Sequence, residues 1–212
     1  MHVLLKSLPL LVVPLVFAGC SGDSAKTEEV TVVAVAKDGA PRDGWTVSPD
    51  APIDVDCSAG QASPSSRTDG MRSCDPVALH ADVCWPAKDP GTLLCAESPW
   101  DKKLRRANAG GPLAPVAKPA DAQPWGLELA DGTKCQLRRG GGWGGGPDDS
   151  TPVYGCLSGD LAVLQMNNAP VIDKSKAKWT VKVGQIAANP DPRVPAPQVV
   201  EVAKAYFTGT EG

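Results

Sequence analysis

Residues 126–138, GLELADGTKCQLR, alternate apolar and polar side chains on both sides of the pair Asp131-Gly132. Such alternation is typical of a β-strand with one buried face, and an Asp-Gly pair between two alternating runs is typical of a hairpin turn. The stretch therefore predicts two antiparallel strands, at residues 126–129 and 133–138.

Three further strand-like runs follow this hairpin, at residues 152–157, 161–165 and 179–183. A short Ser-Gly-Asp turn at residues 158–160 separates the first two runs. About five sequential strands joined in this way predict an antiparallel meander.

In the last part of the chain the apolar side chains have a different spacing. Apolar side chains recur there at i, i+3, i+4 and i+7, namely Val199, Val202, Ala203 and Tyr206. This spacing is typical of one face of an α-helix. We therefore expect residues 198–207 to form an amphipathic C-terminal helix that packs on the sheet, and Gly209 to end it.

Two shorter patterns stand out nearer the N-terminus. The β-branched run at residues 30–36 predicts a strand that pairs with residues 45–47 across Gly-containing turns. The pair Asp75-Pro76 is typical of a helix N-cap followed by proline at the first helical position. It predicts a short helix over residues 76–81.

A hairpin around the Pro90-Gly91 turn is predicted for residues 83–94. Residues 110–124 contain four prolines and almost no periodicity, which indicates a linker or an extended crossover. This segment separates a β-rich N-terminal part, residues 30–109, from a sheet with a C-terminal helix, residues 125–212. The predicted fold class is α+β, mostly β, with disulfide crosslinks.

The chain has seven cysteines, at positions 20, 57, 74, 84, 95, 135 and 156. Without Cys20 an even number remains, which in an exported chain implies three disulfides. A zinc site is disfavoured because the chain has no Cys-x-x-Cys motif and His80 is the only histidine after the N-terminal segment. We therefore predict neither a metal nor a cofactor.

The local patterns suggest which cysteines pair. Cys84 and Cys95 flank the predicted Pro-Gly turn, and Cys135 and Cys156 lie in two predicted strands separated by a Gly-rich loop. Opposed positions on neighbouring strands bring Cα atoms within disulfide range. Cys57 and Cys74 are then left to pair by elimination.

The first 20 residues, MHVLLKSLPLLVVPLVFAGC, have a basic Lys6 and an apolar run that ends in small residues before Cys20. The apolar run is too short to span a bilayer and fits a signal peptide. Here the chain resembles bacterial lipoprotein precursors, in which small residues precede an acylated cysteine. The resemblance implies a signal peptide over residues 1–19 and lipidation of Cys20. The alternative is an ordinary secretory signal cut after Ala18 or Gly19.

Residues 20–29 are mostly small and polar after Cys20, which suits a lipidated tether between membrane and fold. Two or three acyl chains anchor a protein stably, whereas one chain does so only marginally. We therefore expect the protein at the extracytoplasmic face of the cell membrane, held to membrane lipid through its acylated N-terminus.

Short segments with Cys, Trp and Asp-Gly-Thr recur along the chain: Cys84-Trp85, Leu94-Cys95 with Pro99-Trp100-Asp101, Pro124-Trp125-Gly126-Leu127-Glu128-Leu129 with Asp131-Gly132-Thr133-Lys134-Cys135, and Gly141-Gly142-Trp143. In this order, and up to the strand that begins Trp179-Thr180-Val181, the chain resembles an uncharacterised family of secreted proteins and lipoproteins of actinobacteria related to the mycobacteria. The resemblance spans roughly residues 55 to 207. It implies a shared location and one fold unit, and it implies no activity.

Few residues are candidates for catalysis. His80 is the only candidate base for a Ser-His-Asp or Cys-His arrangement, and no Gly-x-Ser-x-Gly motif occurs. A formal net charge of −3 argues against nucleic acid as a partner. We therefore predict no catalytic residue.

The Gly-rich segment 138–149, RRGGGWGGGPDD, offers candidate binding residues. Glycines allow close approach of a ligand to the backbone, Trp143 offers a stacking face, and Arg138 and Arg139 offer anion contacts. The structural alternative is a long hairpin loop whose Trp143 folds back on the sheet.

Together these features predict a non-enzymatic domain that binds or scaffolds an envelope glycan, lipid or protein. The alternative is a carboxylate-dependent enzyme acting on cell-wall glycan, because two acids that meet only in space cannot be recognised from sequence. A basic run at residues 101–106 is a further candidate contact for anionic lipid.

Overall fold

The computed structural model describes residues 26–140, 150–186 and 195–211. Within these ranges the chain forms two β-sheets and one turn of 3-10 helix. The strands in chain order are β1 Glu28–Val32, β2 Thr46–Val47, β3 Ile53–Asp54, β4 Cys84–Pro86, β5 Thr92–Ala96, β6 Lys103–Asn108, β7 Gly126–Leu129, β8 Lys134–Leu137, β9 Thr151–Cys156, β10 Leu161–Gln165, β11 Ile172–Asp173, β12 Thr180–Gln185 and β13 Gln198–Thr208.

The larger sheet closes on itself as a six-stranded barrel. Strands β7, β8, β9, β10 and β12 are neighbours in that order, and β13 pairs with both β7 and β12. Strand β1 adds to β13 in parallel, and β11 adds to β12. The barrel interior holds large buried side chains such as Leu127, Tyr154 and Phe207. The predicted strands of the second half are therefore confirmed, and they belong to a closed barrel.

The predicted C-terminal helix is wrong, because residues 198–208 form the longest strand of the described chain. The register of β13 against β7 shifts between Val202 and Lys204. This β-bulge moves the inward-facing positions from Val202 to Ala205 and Phe207, all of which are buried. Of the four residues that gave the helical spacing only Val202 is buried, so that spacing does not correspond to the buried face of the strand.

The predicted short helix over residues 76–81 is also wrong. Only Val77–Leu79 form a single 3-10 turn, and no side chain caps it. The backbone of Asp75 instead exchanges hydrogen bonds of 2.9 and 2.7 Å with Asp56, and the Asp75-Pro76 peptide is cis. The predicted α+β fold class is therefore wrong, and the described chain has a nearly all-β fold.

The smaller sheet has the order β2-β6-β5-β4, with β3 also pairing with β6. The β4–β5 hairpin predicted from the sequence is confirmed, with Gly91 at a φ of 74° and the Thr92 amide donating to the Asp89 carbonyl at 3.1 Å. The predicted pairing of residues 30–36 with 45–47 is wrong. Their partners, β13 and β6, are distant in sequence and parallel, so no local turn indicates them.

Three disulfides crosslink the fold, namely Cys57–Cys74, Cys84–Cys95 and Cys135–Cys156. They are the three pairs predicted from the sequence. Cys84 and Cys95 lie directly opposite each other on β4 and β5, and Cys135 and Cys156 do so on β8 and β9. The predicted strand register therefore accounts for two of the crosslinks.

The Pro-rich segment 110–124 runs alongside residues 64–70. The Gly70 amide donates to the Val116 carbonyl at 2.8 Å, and the Gln123 amide donates to the Pro64 carbonyl at 2.9 Å. The side chain of Val116 is buried. This segment is extended and is held against the fold at both ends.

The two sheets meet through tryptophans. Trp85 of the smaller sheet donates its indole N–H to the carbonyl of Gly209, beyond the end of β13, at 2.8 Å. Trp125 is equally buried, but its indole nitrogen has no hydrogen-bond partner among the described residues. A Cβ atom on Gly126 would lie 2.9 Å from Pro99 and Trp100, so glycine is required for this close packing.

Comparing substitutions of Trp85 and Trp125 separates the contribution of the Trp85–Gly209 hydrogen bond to stability from the contribution of burial. We expect Trp85→Phe to lower the free energy of unfolding by about 1–3 kcal/mol more than Trp125→Phe, because only the first leaves a buried carbonyl without its donor. Denaturant unfolding of both variants measures the difference. Equal losses would show that the Trp85–Gly209 bond contributes nothing to stability.

Candidate functional site

A cavity of about 700 Å³ lies against β10, β11, β12 and the start of β13. We call it the barrel cavity. Its apolar lining includes Leu164, Met166, Val171, Ile172, Val181 and Val199. None of the lining residues is aromatic. Cavities of this size with mostly apolar walls are typical of small-molecule sites.

Polar groups also line the barrel cavity, chiefly on the turn that follows β11. The Ser175 amide donates to Asp173 at 2.9 Å. Hydrogen bonds from Ser175, assisted by the charge of Lys176, hold the pKa of Asp173 below its ordinary value. The Lys174 ammonium lies 4.6 Å from the centre of the Trp179 ring. This wall therefore presents an ionised carboxylate and a cation together.

Two smaller cavities adjoin the barrel cavity, with volumes of about 270 and 250 Å³. Asp121 of the Pro-rich segment and Lys174 line all three spaces. Arg67 lines the smallest, where its guanidinium stacks 3.4 Å from the centre of the Phe207 ring. The barrel cavity and its two neighbours therefore share the charged groups Asp121 and Lys174.

A separate cavity of about 440 Å³ brings together Arg138, Arg139, His80 and Asp82. We call it the His80 cavity. Two of the three residues predicted to bind, Arg138 and Arg139, line it, whereas Trp143 lies outside the described residues. Sequence reasoning singled out His80 only as an isolated histidine and did not single out Asp82.

Asp82 is the buried titratable group of the His80 cavity, with 8% of its surface exposed. Burial raises the pKa of the Asp82 carboxyl, and the positive charges of His80 and Arg139 partly oppose that shift. His80 ends the 3-10 turn with a left-handed backbone, and its amide donates to the Val77 carbonyl at 3.0 Å. The cavity thus holds a buried carboxyl close to His80 and Arg139.

Other predicted features are outside these cavities. Cys20 precedes the described residues. In the described ranges no three His, Cys, Asp or Glu side chains are grouped as a metal site would require, and no helix there has the length and apolar character needed to cross a membrane.

Nothing in the sequence pointed to Asp121, Asp173 or Lys174 as residues of one site, because they meet only when β11 folds against the Pro-rich segment.

Comparison with known proteins gives no relative to guide the assignment: the chain matches no protein-family model, no curated protein and no solved structure.

The raised pKa of Asp82 makes stability depend on pH. The native state binds the Asp82 proton more tightly than the unfolded state, so stability falls as pH rises from the ordinary Asp range through the native pKa. We expect Asp82→Asn to have a higher melting temperature than the parent at neutral pH, and the gap to close below about pH 4, where the carboxyl is protonated in both states. Melting curves across this pH range measure it.

The exposed Asp89→Asn serves as the matched control for loss of a carboxylate. If Asp82→Asn were less stable than the parent at neutral pH, an attractive interaction of the ionised Asp82 would outweigh its burial, contrary to this prediction.

Proposed function

We propose that the protein is a lipid-anchored extracytoplasmic domain that binds an amphipathic envelope component in the barrel cavity and does not transform it. The observation that carries this proposal is the barrel cavity itself, about 700 Å³ in volume with predominantly apolar walls. It lies within the range of natural small-molecule sites.

The proposed location combines a compartment outside the cytoplasm with a lipid anchor, and different observations support each of them. Three disulfides indicate an oxidising compartment outside the cytoplasm. The lipid anchor is part of the proposal and is supported by the signal-like residues 1–19, which lead into Cys20. Acylation at that cysteine would keep the binding domain at the membrane surface.

The chemistry of the barrel cavity favours a lipid over a glycan. Sugar sites commonly use an exposed aromatic face, and no aromatic side chain lines this cavity. Trp179 lies nearby, but it is 9% exposed and Lys174 lies over its ring. Apolar walls suit an acyl chain, and the charged groups near Asp121 and Lys174 suit a polar head.

The alternative proposal, a carboxylate-dependent glycan hydrolase, draws on the presence of Asp121 and Asp173 in the same cavity. Such an enzyme needs one carboxyl that keeps its proton near neutral pH. The pKa of Asp173 is shifted downward, so Asp173 is ionised and cannot serve as that acid. The downward shift excludes only Asp173 as the acid, and we place binding first because the walls of the barrel cavity are predominantly apolar.

A fatty acid that carries an environment-sensitive fluorophore tests the barrel cavity. We expect saturable binding to the parent and binding about tenfold weaker, or about 1.4 kcal/mol, for Val199→Glu, which places a charge in the apolar lining. Val199 is 67% exposed, so this variant should fold normally. Leu157→Glu, at a side chain that is 66% exposed and outside the barrel cavity, is the matched control.

Equal affinity of Val199→Glu and Leu157→Glu would exclude the barrel cavity as the binding site. Saturable stabilisation by an envelope oligosaccharide, with none by the fatty acid, would instead favour a glycan as the ligand.

The anchor is tested by Cys20→Ala in the natural host or a related bacterium. Acylation requires the cysteine sulfur, so we expect this variant to leave the membrane fraction after a high-salt wash while the folded domain keeps its three disulfides. Ser21→Ala, which leaves the sulfur in place, should stay with the membrane. A Cys20→Ala variant that remains in the washed membrane pellet would contradict the proposed lipidation.

A further inference from the structure

A basic loop lies where the N-terminal tether joins the fold. The segment between β11 and β12, residues 173–178 with the sequence DKSKAK, contains three lysines and a single acid. We call it the basic loop. Lys174 and Lys176 are exposed and Lys178 is half-buried. Lys26, which is also exposed, stands immediately before Thr27.

Thr27 fixes the tether beside this loop through three hydrogen bonds, one of them to the loop itself. Its amide donates to the carbonyl of Ala177 at 3.0 Å, and its hydroxyl donates to the carbonyl of Val202 on β13 at 2.7 Å. The Trp179 amide donates to the Thr27 hydroxyl at 2.8 Å. Thr27 is itself buried, with 6% of its surface exposed. The place where the tether meets the fold is therefore well defined.

The tether is short compared with the fold. Cys20 precedes Lys26 by six residues, and a fully extended chain covers at most about 3.3–3.6 Å per residue, or roughly 20 Å in all. An acyl anchor on Cys20 would therefore keep Thr27 and the basic loop within roughly 20 Å of the bilayer surface. Exposed charges feel a membrane surface across about one Debye length, close to 10 Å at 0.1 M salt.

We propose that the basic loop, with Lys26, docks on anionic lipid headgroups and orients the anchored domain on the membrane. The inference rests on the proposed acylation of Cys20, which brings this face to the bilayer. Lysine clusters beside a membrane anchor are attracted to anionic lipids. The tether and the lysines together would hold one face of the barrel toward the membrane.

The two acidic residues that follow Thr27 have partners on the fold. Glu28 lies 3.7 Å from the Lys204 ammonium, and Glu29 forms an ion pair with Arg67. Asp173 of the basic loop accepts the Ser175 amide. Glu28 and Glu29 are thus paired with cations outside the loop, and the basic loop itself carries three lysines against the one charge of Asp173.

The basic run predicted from the sequence to touch lipid, residues 101–106, occupies a different part of the fold. It leads into β6 of the smaller sheet, where the Thr46 amide donates to the Lys102 carbonyl at 3.0 Å. Lys102 lies near Gly44. Arg42, two residues before Gly44, forms an ion pair with Glu211. The Arg42 amide donates to the carbonyl of Ala34, just past the end of β1, so the run lies toward the end of β1 opposite to Thr27.

The proposed orientation also positions the barrel cavity. Asp173, Lys174 and Ser175 belong to the basic loop and line that cavity. Docking of the loop would therefore place this wall of the cavity at the headgroup region, from which an amphipathic ligand could enter without crossing water.

Lipid quenching measures the orientation directly. The full acylated chain is purified, reconstituted in phosphatidylcholine vesicles with or without phosphatidylglycerol, and labelled with a fluorophore at Ser175→Cys. The vesicles carry a headgroup spin label as quencher. We expect several-fold stronger quenching when phosphatidylglycerol is present, and a loss of this increment at high salt. A fluorophore at Asp89→Cys, in the β4–β5 turn, should show no such increment.

The charge itself is tested by Lys174→Glu combined with Lys176→Glu, and Lys102→Glu combined with Lys103→Glu is the matched control. We expect only the first pair to abolish the phosphatidylglycerol-dependent quenching at Ser175, with the melting temperatures of both variants compared first. If anchored protein gave equal quenching with and without phosphatidylglycerol, or if the control pair abolished it equally, the docking proposal would be overturned. Failure of the parent chain to associate with any vesicle would instead refute acylation.

Discussion

The backbone ladder of strand β13 is the interaction on which the rest of the structure depends. One edge of β13 pairs with β7, and the other edge is shared by β12 along its first part and β1 along its second. This double pairing closes the barrel and leaves neither edge of its longest strand open. The β-bulge after Val202 lets a strand of this length curve while Ala205 and Phe207 still face the core.

The shared edge also determines where the functional features lie. Strands β12 and β1 both begin near the middle of β13, so the residues before each of them meet there. Thr27, ahead of β1, consequently bonds to Ala177 and Trp179, ahead of β12. The same geometry brings the basic loop, the tether and one wall of the barrel cavity to a single face of the molecule.

Crosslinks and packing have separate roles in this fold. Two of the three disulfides join neighbouring strands of one sheet, the third joins Cys57 and Cys74 outside the strands, and in the described part of the chain none joins the two sheets. The sheets are instead held by burial and by the hydrogen bond from Trp85 to Gly209. A core with few aromatic residues is thus reinforced within each sheet by covalent bonds, which restrict the unfolded chain, and between the sheets by two tryptophans.

The sequence by itself determined the local features: the strands of the second half, the β4–β5 hairpin and the cysteine pairs. The strands, the hairpin and two of the cysteine pairs depend on alternation or turn residues within a short stretch of chain, and the pair Cys57–Cys74 follows from these two by elimination. Only the tertiary structure decided that residues 198–208 are a strand, because the pairing that overrides their helical spacing comes from β1 and β7, which are remote in sequence. The same holds for the candidate sites. Asp121 and Lys174 line one cavity, and Asp82 and Arg139 line another, because segments remote in sequence pack together, and such packing leaves no periodic signal in the residues that it brings together.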